Sequence, residues 1–537
     1  MNTKIKYALL IGAMSGFTAC TDLDVPIDSR YTEYPDNEIA VEAMMADAYY
    51  SYRGALGRRA KELYSLSSDE FTGVNFGGDY KDNLNYWHPT IHQFSPDDAC
   101  GGWWGDLSGG ITRCNQVIVT IGGAEGRDAA AAPARVMRAF YHFILMETYG
   151  DIPVADHIPD ADEEVVRSPR ADVARFIESE LLDVLDNNQL TEEVSSNTYG
   201  KPTKWMAEAL LVKLYINWAV YTCGDVSTYE PTLTNEKLAD CVKYCDDIIN
   251  SGIFSVGQGY RKKFFPDNGP QITDFIYAMN YDSVLYTGMD YARYDTFRQA
   301  NKMSPSYWGF DLKTSVGGNF AVTPDFVDLF CLQGDERNNV IIGGPVYVMD
   351  ENYNKTSTPA MYNGEQIVLT KDITFTNMED GGDVGKNVTG WSQGYRSVKY
   401  PPRYDDYALY SRNQSNDVPI FRYADILLTK AEAILRGAIA TNGDTPASLM
   451  NTVRDCSSAP HVTGTPTLQD LLDERGREFF QENWRRNDLI RFGQFERDWG
   501  YKNVANPSAK TNKYLRVFPV PTGILNTNTT WSQNKGY

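Results

Sequence analysis

Hydrophobic residues recur at helical spacing near both ends of this chain. In residues 136–149 (VMRAFYHFILMETY), Phe140, Phe143 and Ile144 fall on one face, and Gly150 follows as a C-cap. Thr203 stands where an N-cap is expected. The same spacing predicts helices over residues 39–52, 110–121, 136–149, 172–185, 203–221, 238–249, 423–435, 446–455 and 468–481.

The helical pattern lapses between these two groups, from residue 254 to about residue 419. This stretch is rich in Tyr, Gly, Asn and Asp, and has short β-like runs at 274–279 and 366–370. Paired antiparallel helices are the unit of tetratricopeptide-like repeats, which run at about 34 residues. The sequence therefore predicts a mainly α fold, in which tetratricopeptide-like helix pairs form a scaffold. The irregular, loop-rich insert with small β elements would carry the ligand site.

The first residues are typical of an export signal. Lys4 and Lys6 precede an apolar run over residues 7–17, which is about half the length needed to cross a bilayer as a helix. Residues 17–20 (Phe-Thr-Ala-Cys) resemble a lipobox, so we expect residues 1–19 to be a signal peptide. Cys20 would then be the lipidated N-terminus, with residues 20–35 as a tether. Two or three acyl chains on one residue anchor a protein stably to a membrane.

Composition narrows the partners and the chemistry. The net charge of -21 argues against a nucleic-acid partner. Aromatic residues make up 13% of the chain, which is enough to supply binding surface as well as core. Apart from Cys20, the cysteines are irregularly spaced and odd in number, so they predict buried thiols and not a disulfide framework. With only five His, we expect no metal and no cofactor.

Several motifs, in order, resemble the SusD/RagB family of surface lipoproteins that Bacteroidetes use in nutrient capture. The blocks that carry the resemblance cover nearly the whole chain beyond the signal: RAFY at 138–141 with GDIPV at 150–154, GKPTK at 200–204, FRYADILL at 421–428 with AEA at 431–433, NTVR at 451–454, ER at 474–475 with REF at 477–479, WRRNDL at 484–489, FPVP at 518–521 and QNKGY at 533–537.

The resemblance implies a helical region over 36–253, an insert over 254–420, and a second helical region with the tail over 421–537. It also implies a lipid-anchored protein on the outer face of the outer membrane. Such a protein binds an oligosaccharide or polysaccharide without catalysis and passes it to a SusC-like TonB-dependent transporter.

Two aromatic loop regions are the candidate ligand site. Sugar-binding sites stack aromatic rings on the apolar faces of sugars and place polar side chains at their edges. The first region holds Trp87, Phe94 and Asp97, and in the family the position of Phe94 often carries a ligand-stacking tryptophan. The second holds Tyr291, Tyr294 and Trp308, and aromatic residues in the corresponding loop of carbohydrate-binding relatives form part of the platform. Trp308 is the strongest candidate and Trp87 the next.

Neighbouring motifs favour structural roles. The Trp103-Trp104 pair leads into a predicted helix and favours core packing. Residues 75–79 form a glycine-rich turn without the strand and GK[ST] element of a phosphate site. The charged residues Arg422, Asp425, Arg475, Glu478, Arg485 and Asp488 are spaced as ion-pair partners between helices, and residues 335–337 (Asp-Glu-Arg) as a loop fastener.

Two other functions stay open from the sequence. One is peptide capture, because some relatives serve peptide uptake. The other is glycoside hydrolysis, which needs two carboxylates about 5–10 Å apart across a cleft. The chain has 71 acidic residues but no recognisable catalytic constellation.

Overall fold

The computed structural model describes residues 38–98, 102–123, 126, 128–297, 316–403, 406, 409 and 412–537. The predicted signal peptide, Cys20, the tether and Trp308 lie outside these residues. The chain divides into two units, Met1–Met44 and Met45–Tyr537. The first unit contains only the beginning of one described helix, and all the other described elements lie in the second unit.

Helices dominate both ends of the described chain, as the hydrophobic spacing predicts. They are α1 (Glu38–Tyr50), α2 (Trp87–Thr90), α3 (Trp104–Ile121), α4 (Ala132–Tyr149), α5 (Arg170–Asp186), α6 (Lys204–Ile216), α7 (Trp218–Thr222), α8 (Leu238–Asn250), α9 (Ala292–Asp295), α10 (Pro324–Val327), α11 (Val388–Trp391), α12 (Tyr423–Leu435), α13 (Pro446–Ser457), α14 (Leu468–Glu478), α15 (Arg485–Arg491), α16 (Lys502–Ala505) and α17 (Thr522–Thr527). None of the helices in these described ranges is long and apolar enough to cross a membrane.

Local sequence signals account for several helix ends. Gly150 adopts a positive φ of 76° directly after α4, as expected of a C-cap. The Thr203 side chain accepts a hydrogen bond from the Met206 N–H and caps α6. The predicted helix over 203–221 is instead two helices, because α6 ends before Asn217 and α7 begins after it. The Asn217 amide bonds the Lys213 carbonyl and accepts from Arg491, so a long-range partner fixes this break.

The larger helices pack in sequential pairs. Helix α3 packs on α4, α4 on α5, and α6 on α8. Helix α12 then packs on α8, α13 and α14, which joins the two helical regions of the chain. This arrangement confirms the mainly α fold with paired helices.

The middle region is built from short antiparallel strand pairs. The strands are β1 (Phe71–Gly73), β2 (Phe275–Met279), β3 (Phe320–Val322), β4 (Ile341–Ile342), β5 (Gly344–Pro345), β6 (Tyr347–Met349), β7 (Lys355–Pro359), β8 (Met361–Tyr362), β9 (Glu365–Gln366), β10 (Val368–Leu369), β11 (Arg396–Ser397) and β12 (Val418–Arg422). They pair as β1–β3, β2–β12, β4–β11, β5–β10, β6–β7 and β8–β9. The division of the chain at residues 254 and 420 stays a prediction, and β12 crosses its second boundary.

A network of buried ion pairs fastens the helices to one another and to the middle region. Arg475 bonds Asp425 of α12 at 2.9 Å and Asp488 of α15 at 2.8 Å. Arg422 bonds Glu478 at 2.8 Å, and both side chains are 1% exposed. The predicted helix-to-helix pairing is thus confirmed, but these pairs are interior ones. Removing one partner would leave an uncompensated buried charge, so the network specifies how the helices meet.

Candidate functional site

The predicted aromatic platform is buried where the structure describes it. Tyr291 and Tyr294 are both 0% exposed. The Tyr291 hydroxyl donates to the Leu56 carbonyl at 2.8 Å, and the Tyr294 hydroxyl donates to Glu62 at 2.6 Å. The Tyr294 ring also stacks on Phe320, with 4.7 Å between centroids. Their expected role as ligand-stacking rings is therefore corrected to a core role, because neither ring offers a free face.

The first aromatic region is also largely interior. Trp87 is 4% exposed and meets the Phe375 ring edge to face, with 5.3 Å between centroids. Phe94 is 8% exposed and packs on Phe518, with 4.5 Å between centroids. We correct both from ligand contacts to core contacts. Asp97 is exposed at the end of this loop, and its role as a ligand contact stays a prediction.

The two predicted regions do lie next to each other. Tyr86, directly before Trp87, contacts Tyr294, with 6.0 Å between ring centroids. The Trp103-Trp104 pair is buried, at 1% and 5% exposed, which confirms its predicted core role.

A polar surface lies above these buried rings. It consists of Arg58, Arg59, Tyr80, Asp290 and Arg293, and we call it the Tyr80–Arg293 face. Arg58 and Arg59 both bond Glu62, at 2.8 and 2.7 Å, and their side chains stay 31% and 35% exposed. The Arg293 guanidinium lies over the rings of Tyr80 and Tyr294, at 6.0 and 5.3 Å from their centroids.

Two unusual backbone segments present this face. Arg58 and Arg59 stand on the π-helical segment Ala55–Arg59, and π-helical turns are rare and frequent at functional sites. Tyr80 lies in an exposed turn in which Tyr80, Asp82, Asn83 and Leu84 all have positive φ. Such strain persists only where surrounding contacts over-determine the conformation.

Contacts from a distant part of the chain hold the Tyr80 turn. The Asn75 amide donates to the carbonyls of Asp380 and Gly381, at 2.7 and 3.0 Å. The Gly77 N–H donates to the Asp383 carboxylate at 2.7 Å. Lys81 bonds Asp380 as well. The turn is therefore fixed from the middle region, more than 290 residues later in the sequence.

The face combines charges of both signs around partly exposed groups. The Asp290 carboxylate is 3.9 Å from the Arg293 guanidinium. Burial raises the pKa of Asp290 to about 6 despite the neighbouring Arg58. At neutral pH the face thus offers guanidinium donors, a carboxylate acceptor and one tyrosine ring, which suits hydroxyl-rich ligands.

The sequence does not predict this face. Arg293 stands between Tyr291 and Tyr294, the two tyrosines predicted as ligand contacts, and Tyr80 follows the glycine-rich turn at 75–79. The one local indication in the sequence is an aromatic residue next to that turn. The sequence does not show that hydrogen bonds to residues 380–383 fix the turn.

The described end of the segment that carries Trp308 is fastened to this face. The N–H groups of Gly317 and Gly318 donate to the Arg293 carbonyl, at 2.8 and 3.0 Å. Phe297, the last described residue before that segment, is 1% exposed and meets Tyr362 and Trp391.

Comparison with known proteins matches the two ends of the chain to two family models. The model described as the SusD family matches residues 273–537, and the one described as starch-binding associating with outer membrane matches residues 23–216. A curated relative, the starch-binding protein SusD of Bacteroides thetaiotaomicron, is 23% identical over 432 residues, which span 76% of this chain and 72% of the relative.

Solved structures share the fold. Surface glycan-binding protein A from Bacteroides fluxus has a TM-score of 0.68 at 18% identity, covering 94% of this chain and 100% of that one. Surface glycan-binding protein A from Bacteroides thetaiotaomicron in complex with laminarihexaose has a TM-score of 0.67 at 19% identity, covering 93% and 99%. A SusD homolog from Bacteroides thetaiotaomicron reaches 0.69 at 18% identity, covering 94% and 98%.

Proposed function

Since this chain belongs to the SusD/RagB family, we propose that it captures an oligosaccharide or polysaccharide and delivers it to a partner TonB-dependent transporter in the outer membrane. The curated relative is named for starch binding, and one structural neighbour is a complex with laminarihexaose. These names describe other proteins, and the support from this chain is the chemistry of its own surface.

The observation that carries the proposal is the Tyr80–Arg293 face. Tyr80 is partly exposed and stands on a turn that long-range hydrogen bonds fix. It lies beside the Arg293 guanidinium, which in turn lies beside the Asp290 carboxylate. Rings stack on the apolar face of a sugar, and the charged groups bond its hydroxyls. Because the turn is already held in place, a ligand would lose little affinity to ordering it.

Trp308, the strongest candidate from the sequence, is a proposed stacking residue for the glycan. It belongs to the segment between Phe297 and Gly317, and Gly317 and Gly318 bond the Arg293 carbonyl. A second flat ring would add contact area at low entropic cost. Asp97 remains a proposed polar contact for the glycan.

The binding test uses the lipidated protein purified in detergent and a panel of neutral and acidic oligosaccharides, including starch and laminarin fragments. A ligand that binds only the folded state stabilises it, by about 2.7 kcal/mol at 100 times its Kd. We expect at least one glycan to raise the melting temperature by several degrees and to give a saturable calorimetric titration.

Two outcomes would contradict the proposal. Binding of oligopeptides with no response to any glycan would favour peptide capture. Steady release of reducing sugar, abolished by one Asp or Glu substitution, would identify a hydrolase.

Anchoring through Cys20 is the second part of the proposal. Acyl chains on Cys20 would hold the protein at the outer membrane, and the tether over 20–35 would let it move against its transporter. Cys20→Ala should leave glycan affinity unchanged in solution and abolish retention at the cell surface and glycan uptake. Normal uptake by cells that carry this variant would refute the anchoring role.

A further inference from the structure

A cleft lies in the middle region, separate from the Tyr80–Arg293 face, and we call it the second cleft. It has a volume of about 290 Å³, close to the lower end of the range of about 300–1,000 Å³ typical of small-molecule sites. It lies between the 3-10 helix Arg261–Phe264, strands β4 and β5, and the hairpin of β6 and β7. None of its lining residues belongs to the Tyr80–Arg293 face or to the aromatic loops predicted from the sequence.

The charge of the cleft differs from that of the whole chain. The chain carries a net charge of -21, yet among the described residues that line the cleft there is no Asp or Glu, while Arg261 and Lys355 both line it. Two carboxylates lie nearby, and each accepts backbone hydrogen bonds: Asp350 from Asn352 and Asn354, and Glu336 from Tyr260. The Asn354 N–H and, to a smaller extent, the Arg261 guanidinium lower the pKa of Asp350. The lining itself, with two cations and no carboxylate among its described residues, favours an anion.

Contacts within the protein hold both cations in place. The Lys355 ammonium lies over the Tyr347 ring, 4.5 Å from its centroid. The Arg261 guanidinium donates to the Tyr353 carbonyl at 2.9 Å and lies 5.5 Å from the Phe265 ring centroid. A charge that is already positioned loses less entropy on binding than a freely moving one.

The turn between β6 and β7 is shaped for this arrangement. Tyr353 has a positive φ of 58°, which is uncommon for a tyrosine. Its ring packs on Phe265, with 4.8 Å between centroids, and its hydroxyl donates to the Pro402 carbonyl at 3.3 Å. These contacts fix the turn against the 3-10 helix, so Arg261 and Lys355 face one cleft from two separate elements.

The remaining lining is amphipathic. Ile341 and Ile342 supply partly exposed apolar surface above the buried Val346 and Met349, and Asn339 and Asn354 supply exposed amides. At Gly343 an added Cβ would lie 2.2 Å from the Tyr395 ring, so only glycine fits against that ring. An inorganic anion would use the two cations alone, whereas a sugar ring would also use the apolar wall and the amides.

We propose that this cleft is a second saccharide site that takes an acidic sugar unit, with its carboxylate or sulfate between Arg261 and Lys355 and its ring against the apolar wall. The site is independent of the glycan site proposed above. In a glycan carrier, a second site would let one polymer chain bind at two points, which raises the overall affinity through effective concentration.

The test is calorimetry on the lipidated protein in detergent with four probes: trigalacturonate, a sulfated galactotriose, neutral galactotriose and inorganic sulfate. We expect one or both acidic trisaccharides to bind, more weakly at 0.5 M than at 0.05 M NaCl because salt screens exposed charges. Which of the two binds identifies the carboxylate or the sulfate as the recognised group. Neutral galactotriose should bind at least tenfold more weakly.

Lys355→Gln removes one cation from an exposed position and should weaken acidic trisaccharide binding about tenfold or more. Lys510→Gln, an exposed lysine outside the cleft, is the matched control and should change nothing. Lys355→Gln should leave the binding of a glycan that the panel identifies for the first site unchanged, which separates a failure of the cleft from a failure of the proposed function. The proposal is overturned if neither acidic trisaccharide binds, if Lys355→Gln binds as tightly as the unaltered protein, or if inorganic sulfate binds as tightly as the trisaccharides.

Discussion

Trp87, Tyr291 and Tyr294 have the side chains that sugar sites use, yet all three rings are buried in the core. The Tyr291 hydroxyl donates to Leu56 and the Tyr294 hydroxyl to Glu62. The Trp87 ring packs against Phe375. An aromatic residue in a loop has the same one-dimensional signal whether it faces solvent or the core. Only burial separates the two roles, and burial depends on neighbours that are distant in sequence.

Burial of a single side chain, Glu208, makes the free energy of unfolding depend on pH. Its side chain lines a groove formed with Lys204, Lys243 and Asp247, but the residue is only 3% exposed and its Oε2 has no hydrogen-bond partner among the described residues. Burial raises the pKa of Glu208 from its ordinary 4.5 to about 7. The unfolded chain therefore ionises this group first, and stability falls as pH rises from about 4.5 to 7.

Glu208→Gln keeps the shape of the side chain and removes the charge. We expect it to raise the free energy of unfolding by about 1–3 kcal/mol at pH 8 and to have little effect at pH 4.5. Urea unfolding at the two pH values measures this difference. The control is Glu192→Gln, whose side chain is 63% exposed beside Lys204 and should shift stability by less than about 1 kcal/mol. An equal effect of Glu208→Gln at both pH values would show that its charge is not the cause.

At the scale of elements, the long helices could be predicted and the strand pairs could not. Helix α12 begins and ends at the predicted residues 423 and 435, because a 13-residue helix repeats its apolar face several times. The strands of the middle region are two to five residues long, too short for a period to show. The split at Asn217 depends on Arg491, far along the chain, and so has no local signal.

The charged residues of the motifs form buried ion pairs between elements. Their spacing indicated ion pairs, but spacing alone gives an exposed and a buried pair the same appearance. Glu432 accepts from Arg491 at 2.8 Å, and their side chains are 0% and 1% exposed. Arg491 and its neighbours lower the pKa of Glu432 to about 2, although burial alone would raise it. Charged residues of these motifs, Asp425, Glu432, Arg475 and Asp488, therefore join α12 to α14 and α15.

At the scale of the whole molecule, the helical regions form the scaffold, and the middle region contributes residues or supporting contacts to both candidate surfaces. Asp380 and Asp383 of the middle region fix the Tyr80 turn, and the second cleft lies within the same region. Motif order identified the family from the sequence alone. The location of the candidate site on the Tyr80–Arg293 face could not be read, because it depends on how the middle region folds back on residues 75–81.

The most direct test of the account is a paired calorimetric and thermal measurement on Trp308→Ala and Trp87→Ala, with a glycan that the panel identifies. Trp308→Ala should weaken binding severalfold or more and leave the melting temperature nearly unchanged. Trp87→Ala should lower the free energy of unfolding by about 3–5 kcal/mol, because it empties a core position. Glycan binding by Trp308→Ala at full affinity, or a collapse of its stability, would contradict the proposal that Trp308 stacks on the captured glycan.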